Sequence, residues 1–199
     1  MKSIKRTGTV KLPQYTNKLI FHIRNSDILD WVENICIKEE ADKTFAKASA
    51  SSKRYHPKIS NGIGGLYHHT KLCILVAQKL IKLYYPMGKL NDTDIDVIYA
   101  SLILHDLWKY KTEDGTTTEH TNSDHGWTAF LGIIDYLTDK DWQSEIAEAV
   151  RFHMSNWCHT EQECELVRYD DSLVNKIVMM ADMIASEPKI IEYIEGGGE

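Results

Sequence analysis

Six of the nine histidines fall in the stretch from His68 to His153, and several lie where a helix would bury its apolar stripe. The pair His105-Asp106 ends the segment IYASLILHD. There Ile98 and Leu102 precede His105 by seven and three residues and share its side of a helix. Successive helical residues point roughly 100° apart, so both polar groups reach one ion only if it sits between them, close to the helix surface. A buried carboxylate beside a buried imidazole is costly unless charge-paired or bound to a metal. The anomaly recurs. His69 shares a face with Leu72, Cys73 and Val76, whereas neighbouring His68 lies over Lys71 and Leu72, which makes His69 the inward one. His153 ends a stripe of Ile146, Ala149 and Val150. Asp182 is flanked at helical spacing by Val174, Val178, Ala181 and Ala185 and has no basic residue within one turn. Such a carboxylate neutralises or binds a cation. His125, followed by the small Gly126, Ala129 and Gly132, offers another imidazole with space around it. Each of these alone is more often a satisfied core or surface residue; their recurrence on separate helices points to convergence. Imidazoles and carboxylates without thiolates suit a borderline or hard divalent ion, one or two of Mn, Fe, Co, Ni, Zn or Mg. Ions of this kind polarise phosphoryl oxygens and activate water, so hydrolysis is the expected chemistry.

The elements that must position these groups are helices. Ser26 reads as an N-cap before DILDWVENICI, which sets Ile28, Trp31, Val32 and Ile35 on one face. The stretch Ala41 to Lys53 extends that helix weakly, and Pro57, Gly62, Gly64 and Gly65 mark a loop. Five further helices are expected near Tyr67–Tyr85, Thr93–Tyr110, Asp124–Thr138, Asp141–His153 and Asp171–Ser186. Asn91, Asp92 and Thr93 offer caps for the second of them, and Ser123 with Asp124 for the third. Pro188 ends the last long helix before a short KIIEYIE piece. The fold class expected is all-α: one compact helical bundle over residues 26–195, preceded by an irregular arm over 1–25 and followed by a flexible tail over 196–199.

At 199 residues, with 43% hydrophobic and 26% charged residues, the chain has the composition of a single globular domain. Its formal charge of −6 argues against tight non-specific binding to duplex DNA or an anionic membrane. No apolar run approaches the roughly 18 residues of a membrane span, and the opening MKSIKRTGTVKLP lacks the apolar core of a signal peptide. A cytoplasmic protein is therefore expected. Cys36, Cys73, Cys158 and Cys164 form no C-x-x-C pair and read as buried or free thiols. There is no G-x-S-x-G elbow and no phosphate-binding G-x-x-x-x-G-K-[ST] loop, and the Gly62, Gly64, Gly65 group lacks the third glycine of a dinucleotide fingerprint.

The order His69, His105-Asp106, Asp182 resembles the H…HD…D pattern of HD-domain phosphohydrolases, an all-helical superfamily of metal-dependent phosphomonoesterases, nucleotide triphosphohydrolases and phosphodiesterases. GGLYHHT looks like the first motif of that superfamily, LILHDLWKY like the second, and MMADMIAS like the last. Trp108 stands where many members carry glycine. The resemblance covers residues 62–186 and implies that His69, His105, Asp106 and Asp182 hold a first metal. It further implies that Asp106 bridges to a second metal held by His125 and His153, as in members with a two-metal centre. His120, in the polar loop TTTEHTNS, competes with His125, which is preferred because the family's ligand opens a helix. Lys109, one turn after His105, either faces a phosphate beside the metal or pairs with Asp106.

The function implied is metal-dependent cleavage of a phosphate ester in a nucleotide or similar small phosphorylated substrate by a metal-activated water, with Asp106 and Lys109 at the catalytic centre. Arg54, His56, Arg151 and Trp157 lie near the motifs in sequence and are candidates to contact phosphate or stack a base. Two alternatives stand beside it: a phosphodiesterase or 3′ exonuclease acting on cyclic nucleotides or single strands, and a non-catalytic nucleotide-binding regulatory module. Oligomeric state is open.

Overall fold

Short polar side chains cap three of the helices of this protein, those begun after Asn25, Asn91 and Ser172, and two aspartates distant in sequence hold its amino-terminal segment down. The computed structural model describes residues 14–49, 56–154 and 172–189. Within them the chain forms α1 (Thr16–Ile20), α2 (Ser26–Lys38), α3 (Ala41–Phe45), α4 (Gly65–Tyr84), α5 (Asp92–Leu104), α6 (His125–Ile134), α7 (Asp141–Phe152) and α8 (Leu173–Ala185). The described residues contain no strand; an isolated bridge joins Lys111 and Thr117. The fold is an all-α bundle, as the periodicity predicts. No helix of the described residues is long and apolar enough to cross a membrane.

Helix α5 is the axis of the bundle. Every residue from Asp96 to Leu104 is buried, as expected for a helix apolar on all sides. It packs against α4, α7 and α8, with α2 across it, while α4 runs along α8 and α6 rests on α7. Asn91 caps α5 in a capping box: its side chain accepts from the Thr93 and Asp94 backbone, and the Asp94 carboxylate accepts from Asn91 N. At α2 the cap is Asn25 rather than Ser26; the Asn25 amide oxygen accepts from Asp27 N at 2.9 Å, leaving Ser26 as the first helical residue.

Three other boundaries differ from expectation, and one of them is the end of α6, at Ile134 rather than near Thr138. Helix α5 stops at Leu104, six residues before Tyr110. The His105 ring takes the Leu102 carbonyl at 2.7 Å, and tighter bonds from Leu107 N to Leu104 O and Lys109 N to Asp106 O carry the chain onward. After α2, Glu40 adopts a left-handed conformation with φ 51°, so Ala41–Phe45 is a separate helix instead of an extension.

Residues 14–25 belong to the expected arm, yet α1 lies there and Leu19, Ile20 and Ile23 are in the core. The Asp42 carboxylate accepts from Tyr15 N, Thr16 N and Thr16 Oγ1, and the Asp96 carboxylate accepts from Arg24 N at 3.0 Å and Asn25 N at 2.8 Å. Asp96→Ala strands two backbone donors near the core, and is expected to cost about 3 kcal/mol in urea unfolding with an unchanged dependence on denaturant. A loss below about 1 kcal/mol would show that α2 is anchored by other contacts.

Trp108, the departure from the resembled motif, has a structural partner. A Cβ on Gly132 would come within 2.3 Å of the Trp108 indole, so α6 presents bare backbone where that ring packs.

Candidate metal centre

Four imidazoles and two carboxylates meet at the middle of the bundle, delivered by α4, the end of α5, the start of α6, the end of α7 and α8. Helical spacing explains each arrival: an apolar stripe facing the core carries the polar residue that occupies one of its positions. His69, His105 and His153 are completely enclosed; Asp106, His125 and Asp182 are nearly so.

The donors fall into two groups that share Asp106. On one side, His69 Nε2 is 2.9 Å from Asp182 Oδ1 and 3.4 Å from His105 Nε2, and His105 Nε2 is 3.7 Å from Asp182 Oδ1. Asp106 Oδ2 faces this group at 3.4 Å from His105 Nε2 and 3.7 Å from His69 Nε2. Asp106 Oδ1 faces the other, 3.0 Å from His125 Nε2 and 3.7 Å from His153 Nε2.

The protons can be placed. His105, His125 and His153 each turn Nδ1 toward a backbone carbonyl, those of Leu102, Asn122 and Val150, at 2.7, 2.8 and 2.6 Å. A carbonyl only accepts, so Nδ1 carries the hydrogen and, in the neutral ring, Nε2 presents a lone pair to the centre. Burial pushes the His105 imidazole down to about 4, with Asp106 and Asp182 opposing that shift, and burial likewise lowers His125, helped by Lys109. Burial alone would raise the carboxyl of Asp106; Lys109, His105 and His125 hold it well below the usual carboxylate range instead. Burial would also raise Asp182, and the hydrogen bond and charge of His69 draw it down.

Lone pairs therefore face carboxylate oxygens. His125 Nε2 and His153 Nε2 both face Asp106 Oδ1, at 3.0 and 3.7 Å, and all three atoms are buried with no hydrogen-bond partner. Buried acceptors left facing one another are a costly arrangement that a shared cation resolves. The donor set thus fits a divalent ion: His69, His105, Asp106 and Asp182 could hold one, and Asp106, His125 and His153 a second.

Lys109 makes the ion pair, with Nζ 2.7 Å from Asp106 Oδ2 and the chain nearly buried. His120 stays exposed in its loop, while His125 opens α6 and enters the cluster. His56 is buried with its ring edge-on to His69, centroids 4.9 Å apart, and its Nδ1 has no hydrogen-bond partner. Burial, with His69 adding to it, lowers that imidazole to about 3. Arg151 sits two residues before His153 and lays its guanidinium over the rings of Trp127 at 4.8 Å, Phe152 at 5.2 Å and Phe130 at 5.3 Å. Arg54 and Trp157 lie outside the described residues. The residue that sequence reasoning passed over is Cys73, whose Sγ is 3.5 Å from His69 Nε2; its signal was its place four residues after His69 on the same face.

If two ions bind, His153→Ala removes a donor from only one position. Metal content by elemental analysis is expected to fall from about two ions per chain to about one, and unchanged stoichiometry would leave no room for the second position.

No protein-family model matches the chain. No solved structure matches it. The chain is similar to the protein named 3'-5' exoribonuclease YhaM of Shouchella clausii (strain KSM-K16), with 29% identity over 135 residues that cover 68% of this chain and 36% of that protein. It is also similar to 3'-5' exoribonuclease YhaM of Bacillus velezensis (strain DSM 23117 / BGSC 10A6 / LMG 26770 / FZB42), with 25% identity over 206 residues covering 93% of this chain and 60% of the relative. The chain thus spans between about a third and three fifths of the length of these curated relatives.

Proposed function

We propose that this protein is a metal-dependent phosphohydrolase and that the ester it cleaves is the phosphodiester at the 3′ end of a single-stranded nucleic acid. The observation that carries the hydrolase reading is the convergence of six buried imidazoles and carboxylates from five helices, with Asp106 turned by its two oxygens toward both halves. The names of the two similar proteins favour a strand end over a free nucleotide as substrate.

Bound divalent ions supply Lewis acidity at a phosphoryl oxygen and lower the pKa of water. The chain does the rest. Carbonyl bonds to Nδ1 of His105, His125 and His153 fix ring orientation before substrate arrives, so no reorganisation is needed during reaction. Asp106 holds the two halves at a set spacing. Lys109 can exchange its partner, Asp106 Oδ2, for a non-bridging phosphate oxygen and offset charge that builds on phosphorus. A water oxygen then replaces one ester oxygen on phosphorus, and the displaced oxygen leaves with a proton. No serine or cysteine nucleophile is required.

A small nucleotide remains the second reading, favoured by the net charge of −6, which opposes a long polyanion. Single-stranded oligonucleotides, cyclic nucleotides and nucleoside mono- and triphosphates, each offered with Mn, Co, Ni, Mg or Zn, separate them. Stepwise shortening from the 3′ end supports the exonuclease. Turnover of mononucleotides alone supports the second reading, and no metal-dependent turnover of any of them contradicts both.

A further inference from the structure

Cys73 follows His69 by one turn of α4, and both side chains are fully enclosed. The cysteine sulfur and one donor atom each from His69, His105 and Asp182 all lie within 4.8 Å of one another. Two donors on a single zinc-like ion, nitrogen at about 2.0 Å and sulfur at about 2.3 Å, stand roughly 3.5 Å apart at a tetrahedral angle. The separation of Cys73 Sγ from His69 Nε2 is 3.5 Å.

A packing thiol would account for burial, and a thiol hydrogen bond to the ring would account for the contact. The second account conflicts with its neighbour. His69 Nε2 is also 2.9 Å from Asp182 Oδ1. One ring nitrogen cannot donate to a carboxylate and at the same time accept from a thiol, and a single ring hydrogen shared between the carboxylate and the sulfur gives the sulfur, a weak acceptor, little. A cation lying among the nitrogen, the sulfur and the carboxylate oxygen satisfies all three.

Resting on the metal centre proposed above, we infer that Cys73 is a ligand of the first ion, adding a sulfur donor to His69, His105, Asp106 and Asp182. The S–H bond breaks as the sulfur–metal bond forms, and the proton leaves to solvent. A soft donor in this set favours Zn, Co or Fe over Mg and Mn.

Cobalt(II) tests this by absorption, without reference to activity. Adding Co(II) to the metal-free full chain is expected to give visible ligand-field bands, which report that cobalt is bound, and a near-ultraviolet sulfur-to-cobalt charge-transfer band. Cys73→Ser should lose the near-ultraviolet band completely and keep the visible ones. Cys36→Ser, in a buried thiol on α2, should keep both. Ligand-field bands without charge transfer in the native chain would remove Cys73 from the ligand set while leaving the metal centre standing. No cobalt spectrum at all would overturn both. A charge-transfer band that persists in Cys73→Ser would assign the sulfur to another cysteine. Should the serine variant not fold, Cys73→Ala takes its place, and the spectrum of the native chain already decides against the ligand if the band is missing.

Discussion

Asp106→Ala is expected to lower phosphohydrolysis by about three orders of magnitude or more, at every metal concentration tested. Asp106 is the carboxylate that faces both halves: its Oδ1 is 3.0 Å from His125 Nε2 and its Oδ2 is 3.4 Å from His105 Nε2. Removing it takes a shared anionic donor from two positions and lets their spacing drift, so raising the metal concentration does not restore the geometry. It also leaves Lys109 without its carboxylate. That ammonium is buried, so a loss of stability is expected alongside the loss of activity and has to be measured separately. The check pairs initial rates with thermal unfolding of the metal-free protein. Activity within about tenfold of the native chain would remove Asp106 from the reacting centre.

The second large effect is structural. Gly65→Ala is expected to destabilise the protein by at least about 3 kcal/mol, lowering the melting temperature by roughly 10 °C. A Cβ at Gly65 would meet Ser60 O at 2.2 Å, Ser60 C at 2.7 Å and Ala48 Cα at 3.0 Å. All three are backbone atoms and cannot swing aside like a side-chain end. The contact lies at the first turn of α4, four residues before His69, where Gly65 N bonds to Gly62 O and Leu66 N bonds to Lys47 O. Relief therefore requires the loop before α4 to shift, and His69 moves with it. Gly62→Ala is the control: a Cβ there meets nothing within 4 Å. Equal melting temperatures for the two variants would show that the close approach at Gly65 is relaxed in solution.

Much of the site was legible because a carboxylate or imidazole within an apolar stripe is a local signal. Asp182 among Val178, Ala181 and Ala185, and His153 after Ala149 and Val150, are visible in a window of one or two turns, and helical geometry then gives the direction of each side chain. The same reasoning located every long helix among the described residues. What it could not locate depends on partners far along the chain. Residues 14–25 look irregular because their helix start is closed by Asp42 and Asp96, which lie 26 and 72 residues away for the Thr16 and Arg24 amides. Helix α5 was expected to run on to Tyr110 because its apolar pattern continues, whereas the His105 ring captures a carbonyl that the next turn would have used. Cys73 reads as a buried or free thiol in the sequence because a thiol on a buried face is chemically indistinguishable from a small apolar residue until its neighbour is known to be His69 Nε2.

Anomalous X-ray diffraction from crystals of the protein grown with Mn, Co or Zn, recorded on both sides of the metal's absorption edge, goes straight to the proposed centre. The expected result is a strong peak enclosed by His69, His105, Asp106 and Asp182, with a second on the His125 and His153 side of Asp106. An empty space among those side chains at full metal occupancy elsewhere would contradict the account.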